Sequence, residues 1–343
     1  MNISHIYWFC YFSTEEPSVR YRALYPLAEL SQNHEITYSI VYPGYSIKSI
    51  LYFLYVWFGV LLFRKKDSVI VFQKIYTNHI YSLALRILLF FRRKRTLYDI
   101  DDAEYLRYNE QVIHYFMRNC EACAVGSREL YIHARLYNSN VFLLTSPVIA
   151  HNQLKTAINE HFTIGWIGYY DAHKPNLHEL VFPAVANADI DIRLIILGVT
   201  KAEDREEVIS YFAGKSHVTL EMPDEINWHN EETVYEHISR FDIGVAPLLN
   251  NEFNRAKSAF KMKQCLSVGV PVLASNIGEN SWFLNHSNNG FFCNTPAEYL
   301  QMIHHIKALC EEEYLALCTA AKESASDFSM GNYGNVLLDY YKK

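Results

Sequence analysis

Residues 241–292 read FDIGVAPLLNNEFNRAKSAFKMKQCLSVGVPVLASNIGENSWFLNHSNNGFF, and their order decides the fold. An apolar run at 243–247 reads as a strand, a polar loop follows at 249–254, and residues at helical spacing fill 256–268. Gly269-Val270-Pro271 then turns the chain into a second strand at 271–274, and a third is expected at 290–293 after another loop. Short apolar strands alternating with helices, with turn signals at the junctions, read as βαβ units of a parallel sheet. Within the helical stretch Lys257, Lys261 and Gln264 fall at i, i+4 and i+7 and share one face. Ala259, Met262 and Leu266 form a separate apolar stripe for the sheet. Two lysines on one face are also what a solvated helix carries. Near a helix start, where unpaired N–H groups and the dipole favour negative charge, they suit a diphosphate.

The same alternation extends outward in both directions. Strands are expected at 163–168, 193–198 and 217–221, and earlier at 3–9, 35–42, 68–72, 96–100, 122–126 and 141–144. Helical stretches fall between them, for example 20–30, 105–118, 176–186, 231–240 and 296–309. A break at Thr145-Ser146-Pro147 separates two sets of similar length. The expected architecture is α/β: two Rossmann-like, doubly wound domains at 1–150 and 151–330, facing each other across a cleft. A segment at 331–343, apolar at helical spacing between positions 333 and 341, is expected to return onto the first domain. Domains joined in this way are expected to close on a bound ligand.

Composition sets outer limits. Of 343 residues half are apolar and a fifth charged, which places the chain among folded proteins. The net charge of -6 conceals an asymmetry: residues 1–150 carry 16 Lys and Arg against 12 Asp and Glu, and residues 151–343 carry 15 against 25. The basic excess is too small and too local for a nucleic-acid binder, which shows a broad basic stripe. Seven cysteines without a secreted-type framework point to a reducing cytoplasm, and the opening residues lack the order of a signal peptide.

Taken together, these motifs resemble glycosyltransferase family four, especially bacterial members that assemble surface polysaccharides. The resemblance rests on Asp242-Ile243-Gly244 with Pro247, on Lys257-x-x-x-Lys261, on Gly269-x-Pro271-Val272-x-Ala274-Ser275 and on Asn289-Gly290. Trp228 with Glu231 or Glu232, TIGWIGYY at 163–170 and YDIDDAEY at 98–105 support it. It implies the GT-B fold and transfer of a sugar, with retention, from a nucleoside-diphosphate sugar to a hydroxyl of a glycan or lipid-linked acceptor. It places Lys257 and Lys261 at the phosphates, Gln264 at the ribose and the Gly278-Glu279-Asn280 loop at the sugar or phosphate, with Gly168 also on the donor side. No metal and no cofactor beyond the sugar nucleotide is implied.

Three departures stand out. The usual Glu pair is replaced by Ala256 and Gln264, the usual Arg after the first strand of the second domain is absent with Lys174 or His173 in its neighbourhood, and the loop at 10–17 has no glycine. The lost Glu pair supports an alternative: an inactive GT-B-like partner protein that binds nucleotide sugars.

In the first half Asp99, Asp101 and Asp102 lie where a strand ends, and such carboxylates can orient an acceptor hydroxyl or take its proton. The same residues form an Asp-x-Asp, the metal signature of another transferase fold, and Asp102 alone is also a plausible helix cap. Arg20 and Arg22 are expected at a helix start, either meeting an anionic group or facing solvent. The lone Cys120-x-x-Cys123 has no second ligand pair and reads as structural. His304-His305 has no acidic partner nearby in sequence, while His79 and His173 are candidates to line the cleft.

Finally, fourteen residues without a charge at 50–63 precede Arg64-Lys65-Lys66, and an apolar run at 87–91 precedes Arg92-Arg93-Lys94-Arg95. Each run is too short to span a bilayer, so the reading is either a buried core helix or docking on an anionic membrane surface. A peripheral position on the inner face of the cell membrane is the corresponding expectation.

Overall fold

In the computed structural model, which describes residues 3–44, 46–77, 79–152 and 154–342, the strands assemble into two parallel sheets of six. The chain divides into two units. One comprises residues 1–147, 255–258 and 328–343; the other comprises 148–254 and 259–327.

The first unit is built on β1 (His5–Cys10), β2 (Thr37–Val41), β3 (Ser68–Gln73), β4 (Thr96–Ile100), β5 (Ala122–Val125) and β6 (Val141–Leu143). Their order across the sheet is β2-β1-β3-β4-β5-β6, with every pairing parallel. Every residue of β3, β4 and β5 is buried. Parallel strands covered on both faces are selected as unbroken apolar runs, which is why the sequence marks them clearly. Helix Met330–Lys342 adds Tyr333, Leu337, Leu338 and Tyr341 to the core around Trp8 and Leu97. Lys343, the last residue of the expected returning segment, lies outside the described residues.

The second unit carries β7 (Thr163–Ile167), β8 (Ile192–Leu197), β9 (Val218–Glu221), β10 (Ile243–Ala246), β11 (Val272–Ala274) and β12 (Gly290–Phe292). The order β12-β11-β10-β7-β8-β9 reverses direction between β7 and β10. In doubly wound sheets ligands bind at the carboxyl ends of strands beside such a switch point. Asp242, fully buried at the start of β10, accepts from the Asn159 and Thr163 amides at 2.9 and 2.7 Å. Its carboxylate is also 3.0 Å from Lys155 Nζ. The Asp of the Asp-Ile-Gly motif therefore holds the sheet together.

Two helical expectations need correction. The stretch at 256–268 is not one helix: Glu252–Arg255 ends early, Ala259 sits in the left-handed region at φ 56°, and the helix proper is Phe260–Ser267. The apolar run at 50–63 lies in helix Ile47–Phe63, of which only Val56 and Val60 are fully buried. It is not a core helix. Among the described residues no helix is long and apolar enough to cross a membrane.

Between helices Glu110–Asn119 and Arg128–Arg135, His133 stacks on Tyr105 at 3.7 Å, and its Nε2 lies 3.1 Å from His114 Nε2. Burial first, then His114, pushes the His133 imidazole down to about 4 from 6.5. The unfolded chain thus binds a proton that the folded chain does not, and stability is fully present above pH 6.5 and lost as pH falls towards 4. Melting temperature is expected to drop across that window. His133→Phe, which keeps the stack, is expected to flatten the drop; an unchanged slope would place the acid sensitivity elsewhere.

Candidate functional site

At the switch point of the second unit the backbone is bare. Gly168, just after β7, has φ 151°, and Gly198, just after β8, has φ 107°, conformations that side chains rarely tolerate. A Cβ on Gly198 would collide with the Gly168 carbonyl oxygen, and one on Gly168 would collide with Lys261 Cε and lie 3.1 Å from its Nζ. The Lys261 stem is therefore laid directly on the chain at Gly168, and its Nζ stands 5.8 Å from the centre of the Trp166 ring.

His173, from helix Tyr170–Asn176, brings its Nε2 to 2.9 Å from Lys261 Nζ. The surrounding network fixes the imidazole ring. Asn176 uses its side-chain oxygen to accept from the Leu249 amide at 2.9 Å and from Asn254 Nδ2 at 3.2 Å. Its amide nitrogen lies 3.2 Å from His173 Nδ1, so the ring is held between Asn176 and Lys261. The Lys261 ammonium is thus held by the imidazole over a bare stretch of backbone, where an anion can approach it. Gln264 lies on the same helix three residues past Lys261 and is almost wholly buried.

Other donor-side candidates are placed differently from expectation. Lys174 turns away from this point to pair with Glu207 and, at 3.6 Å, with Asp204. Gly278 has φ 56°, Glu279 is buried, and Asn280 donates through Nδ2 to the Ala246 and Ser275 carbonyls at 3.2 Å each. The Asn280 side-chain amide thus anchors its loop to the ends of β10 and β11. Lys257 is not on a shared face with Lys261 and Gln264, because the helix begins only at Phe260. It falls in the first unit, with Nζ 3.9 Å from Asp102.

The first unit gathers its own charges at the carboxyl ends of β3 and β4. Arg22 and Asp99 are both fully buried and form a bidentate pair: Nε donates to Oδ2 at 2.9 Å and Nη2 to Oδ1. Nη1 donates further to the Leu144 carbonyl at 2.7 Å and to Ser146 Oγ at 3.1 Å. Burial works against its charge, yet Asp99 holds the Arg22 guanidinium above its ordinary range. Arg22 is therefore buried rather than at an exposed helix start, and both carboxylate oxygens of Asp99 are committed to it. Arg20, also buried, donates to the Glu15 carbonyl.

The sequence reading did not single out Lys74. It follows β3 in the left-handed region at φ 53°, and its Nζ lies 2.8 Å from Asp101, 3.5 Å from Asp102 and 3.3 Å from Glu104. Burial would depress this ammonium, but the three carboxylates outweigh it and raise its pKa well above the usual lysine range. Of the aspartates only Asp102 keeps a partly open carboxylate, 28% exposed. It does not cap a helix; the cap position of the 3-10 turn Glu104–Leu106 belongs to Ala103.

The remaining sulfur and imidazole candidates are structural. Cys120 and Cys123 are buried, and burial pushes the Cys123 thiol up to about 12. No cluster of His, Cys, Asp or Glu suited to a metal occurs among the described residues. His304 has an acidic neighbour after all, Asp189 at 2.8 Å, on the surface.

Residues 161–312 match the family described as Glycosyl transferases group 1. A GDP-Man:Man(3)GlcNAc(2)-PP-Dol alpha-1,2-mannosyltransferase of Dictyostelium discoideum is 22% identical over 165 residues, 47% of this chain. The match spans only 31% of that relative's length. Among solved structures, HepE of Anabaena, crystallised with UDP and glucose, aligns over 100% of both chains with a TM-score of 0.69 at 12% identity. A glycosyltransferase of Rickettsia africae aligns over 100% of this chain and 98% of its own, with a TM-score of 0.70 at 12% identity. Residues 161–312 are thus similar to the group 1 glycosyl transferases, and the two parallel sheets of the chain have the GT-B fold.

Proposed function

We propose that the chain transfers a sugar from a nucleoside-diphosphate sugar to an acceptor hydroxyl with retention at the anomeric carbon. The observation that carries this reading is the meeting of Lys261 Nζ and the His173 imidazole beside the bare backbone of Gly168. As the anomeric C–O bond to the diphosphate breaks, negative charge collects on the departing phosphate oxygen and positive charge on the sugar ring. Fixed donors in a dehydrated pocket stabilise that charge where it forms. Lys261 and His173 act on the phosphates in this reading, Gln264 on the ribose, and the Gly278-Glu279 backbone on the sugar side. The acceptor oxygen forms the new bond and gives up its proton, for which Asp102 is the most open of the three aspartates. HepE was crystallised with UDP, and the Dictyostelium relative is named for GDP-mannose and a dolichol-linked acceptor. UDP and GDP are accordingly the first bases to screen, and glycans and lipid-linked glycans the first acceptors. Seven cysteines, all reduced, support a cytoplasmic setting.

Thermal shift against UDP, GDP and their sugars tests the donor half of the proposal, and no stabilisation by any of them would end it. Replacement of the usual Glu pair by Ala256 and Gln264 favours a second reading, a binding protein without turnover. Slow release of nucleoside diphosphate from a bound donor supports the enzyme; tight binding without release supports the alternative. Turnover is also expected to survive chelation. Asp99 and Asp101 are already neutralised by Arg22 and Lys74, so the Asp-x-Asp is not available to bind a cation. Activity abolished by EDTA and restored by Mn²⁺ would refute that account of the aspartates.

A further inference from the structure

We propose that helices Ile47–Phe63 and Ile80–Phe91 form a preassembled platform with which the first unit docks on an anionic lipid bilayer. The first helix leaves nine large apolar side chains exposed and the second five. On the first they recur along one side, at Ile47, Leu51, Tyr55, Phe58 and Leu62, the spacing of a continuous helical stripe. Folded soluble proteins scatter such residues singly, and a contiguous patch of this kind marks a partner surface. The most exposed are Ile80 at 87%, Phe63 at 80% and Tyr55 at 78%.

The charge around the patch identifies the partner. The segments that follow the two helices, residues 64–67 and 92–95, hold seven Lys and Arg residues against one acid, Asp67. A protein partner or a second copy of this chain, whose net charge is -6, would bring mixed charge to the rim. A surface that is apolar below and uniformly anionic at the headgroups matches both the patch and the cations.

The structure also divides the cations into two groups. Arg64 donates to the Arg92, Lys94 and Arg95 carbonyls at 3.1, 2.7 and 3.1 Å, and Arg92 donates back to the Leu61 carbonyl at 2.9 Å. Trp57 Nε1 adds a bond to the Ala84 carbonyl at 2.9 Å. These residues clamp the two helices together at their carboxyl ends, where Leu62, Phe63, Phe90 and Phe91 are exposed. Lys65, Lys66, Arg93 and Lys94 remain exposed at the same end and meet the headgroups. No helix among the described residues is long and apolar enough to cross, so the platform enters one leaflet only.

Co-sedimentation of the full chain with vesicles of phosphatidylcholine and phosphatidylglycerol, against phosphatidylcholine alone, tests this. Wild type is expected to sediment with the anionic vesicles and to be released by high salt. Lys65→Gln, Lys66→Gln and Lys94→Gln together should weaken partitioning roughly a hundredfold. Phe63→Gln with Phe90→Gln should abolish it with the melting temperature unchanged, because both side chains are already exposed. Wild type that stays in the supernatant at low salt overturns the proposal. So does a dimer that Phe63→Gln and Phe90→Gln convert to monomer, which would assign the patch to a second copy. Donor binding is measured separately and does not depend on the outcome.

Discussion

Lys261→Ala is expected to weaken binding of the cognate nucleoside diphosphate by about 1.5–3 kcal/mol, the value of a hydrogen bond to a charged group. The side chain is held in place on three sides: its stem lies on Gly168, its Nζ stands over Trp166, and His173 meets the ammonium at 2.9 Å. Little side-chain entropy is then left to lose on binding, so most of the interaction appears as affinity. Gly168→Ala offers an independent route to the same loss. It removes no charge, but its methyl group would occupy the position of Lys261 Cε and displace the ammonium. Lys257→Ala separates the two pictures of the site. A loss equal to that of Lys261→Ala would restore the single helical face expected from spacing, whereas a smaller one agrees with the place of Lys257 beside Asp102. Calorimetry that finds Lys261→Ala and Gly168→Ala both unchanged would remove the phosphates from this point altogether.

The sheets were legible in the sequence and the charge pairs were not, for physical reasons. Strands such as β3 and β4 are buried on both faces, so they appear as apolar runs whose limits the sequence predicts within about two residues. The break at Ala259 leaves no comparable trace, since a left-handed alanine looks like any other alanine in a helical pattern. Spacing therefore assigned Lys257 to a helix that starts three residues later. Arg20-x-Arg22 likewise reads as a solvated helix start, because the partner that buries Arg22 lies 77 positions further on. The run at 50–63 is apolar almost all round, and composition alone does not separate a core helix from one turned outward. His173 was in view only as a neighbour of an absent arginine. Its orientation comes from Asn176, whose side chain is set by Leu249 and Asn254, about 75 residues away.

Asp99→Asn is expected to destabilise the first unit by about 3–5 kcal/mol, because it leaves the Arg22 guanidinium charged and fully buried without its partner. The effect should extend to helix Met330–Lys342, since Tyr333 donates to the Arg22 carbonyl at 2.8 Å and its ring lies 5.7 Å from the guanidinium. Hydrogen exchange is thus expected to speed up in β1, β4 and the C-terminal helix while β7 to β12 stay protected. Replacing both partners by apolar residues, Arg22→Met with Asp99→Leu, should cost less than either single change, because no uncompensated charge remains. The same measurements decide the chemical role of Asp99. If Asp99→Asn unfolds the unit and the double variant restores both folding and turnover, the carboxylate serves the fold. If the asparagine variant keeps its stability within about 1 kcal/mol while turnover falls a hundredfold, the bidentate pair is part of the reaction, and the proton would have to pass through a group that the folded protein surrounds completely.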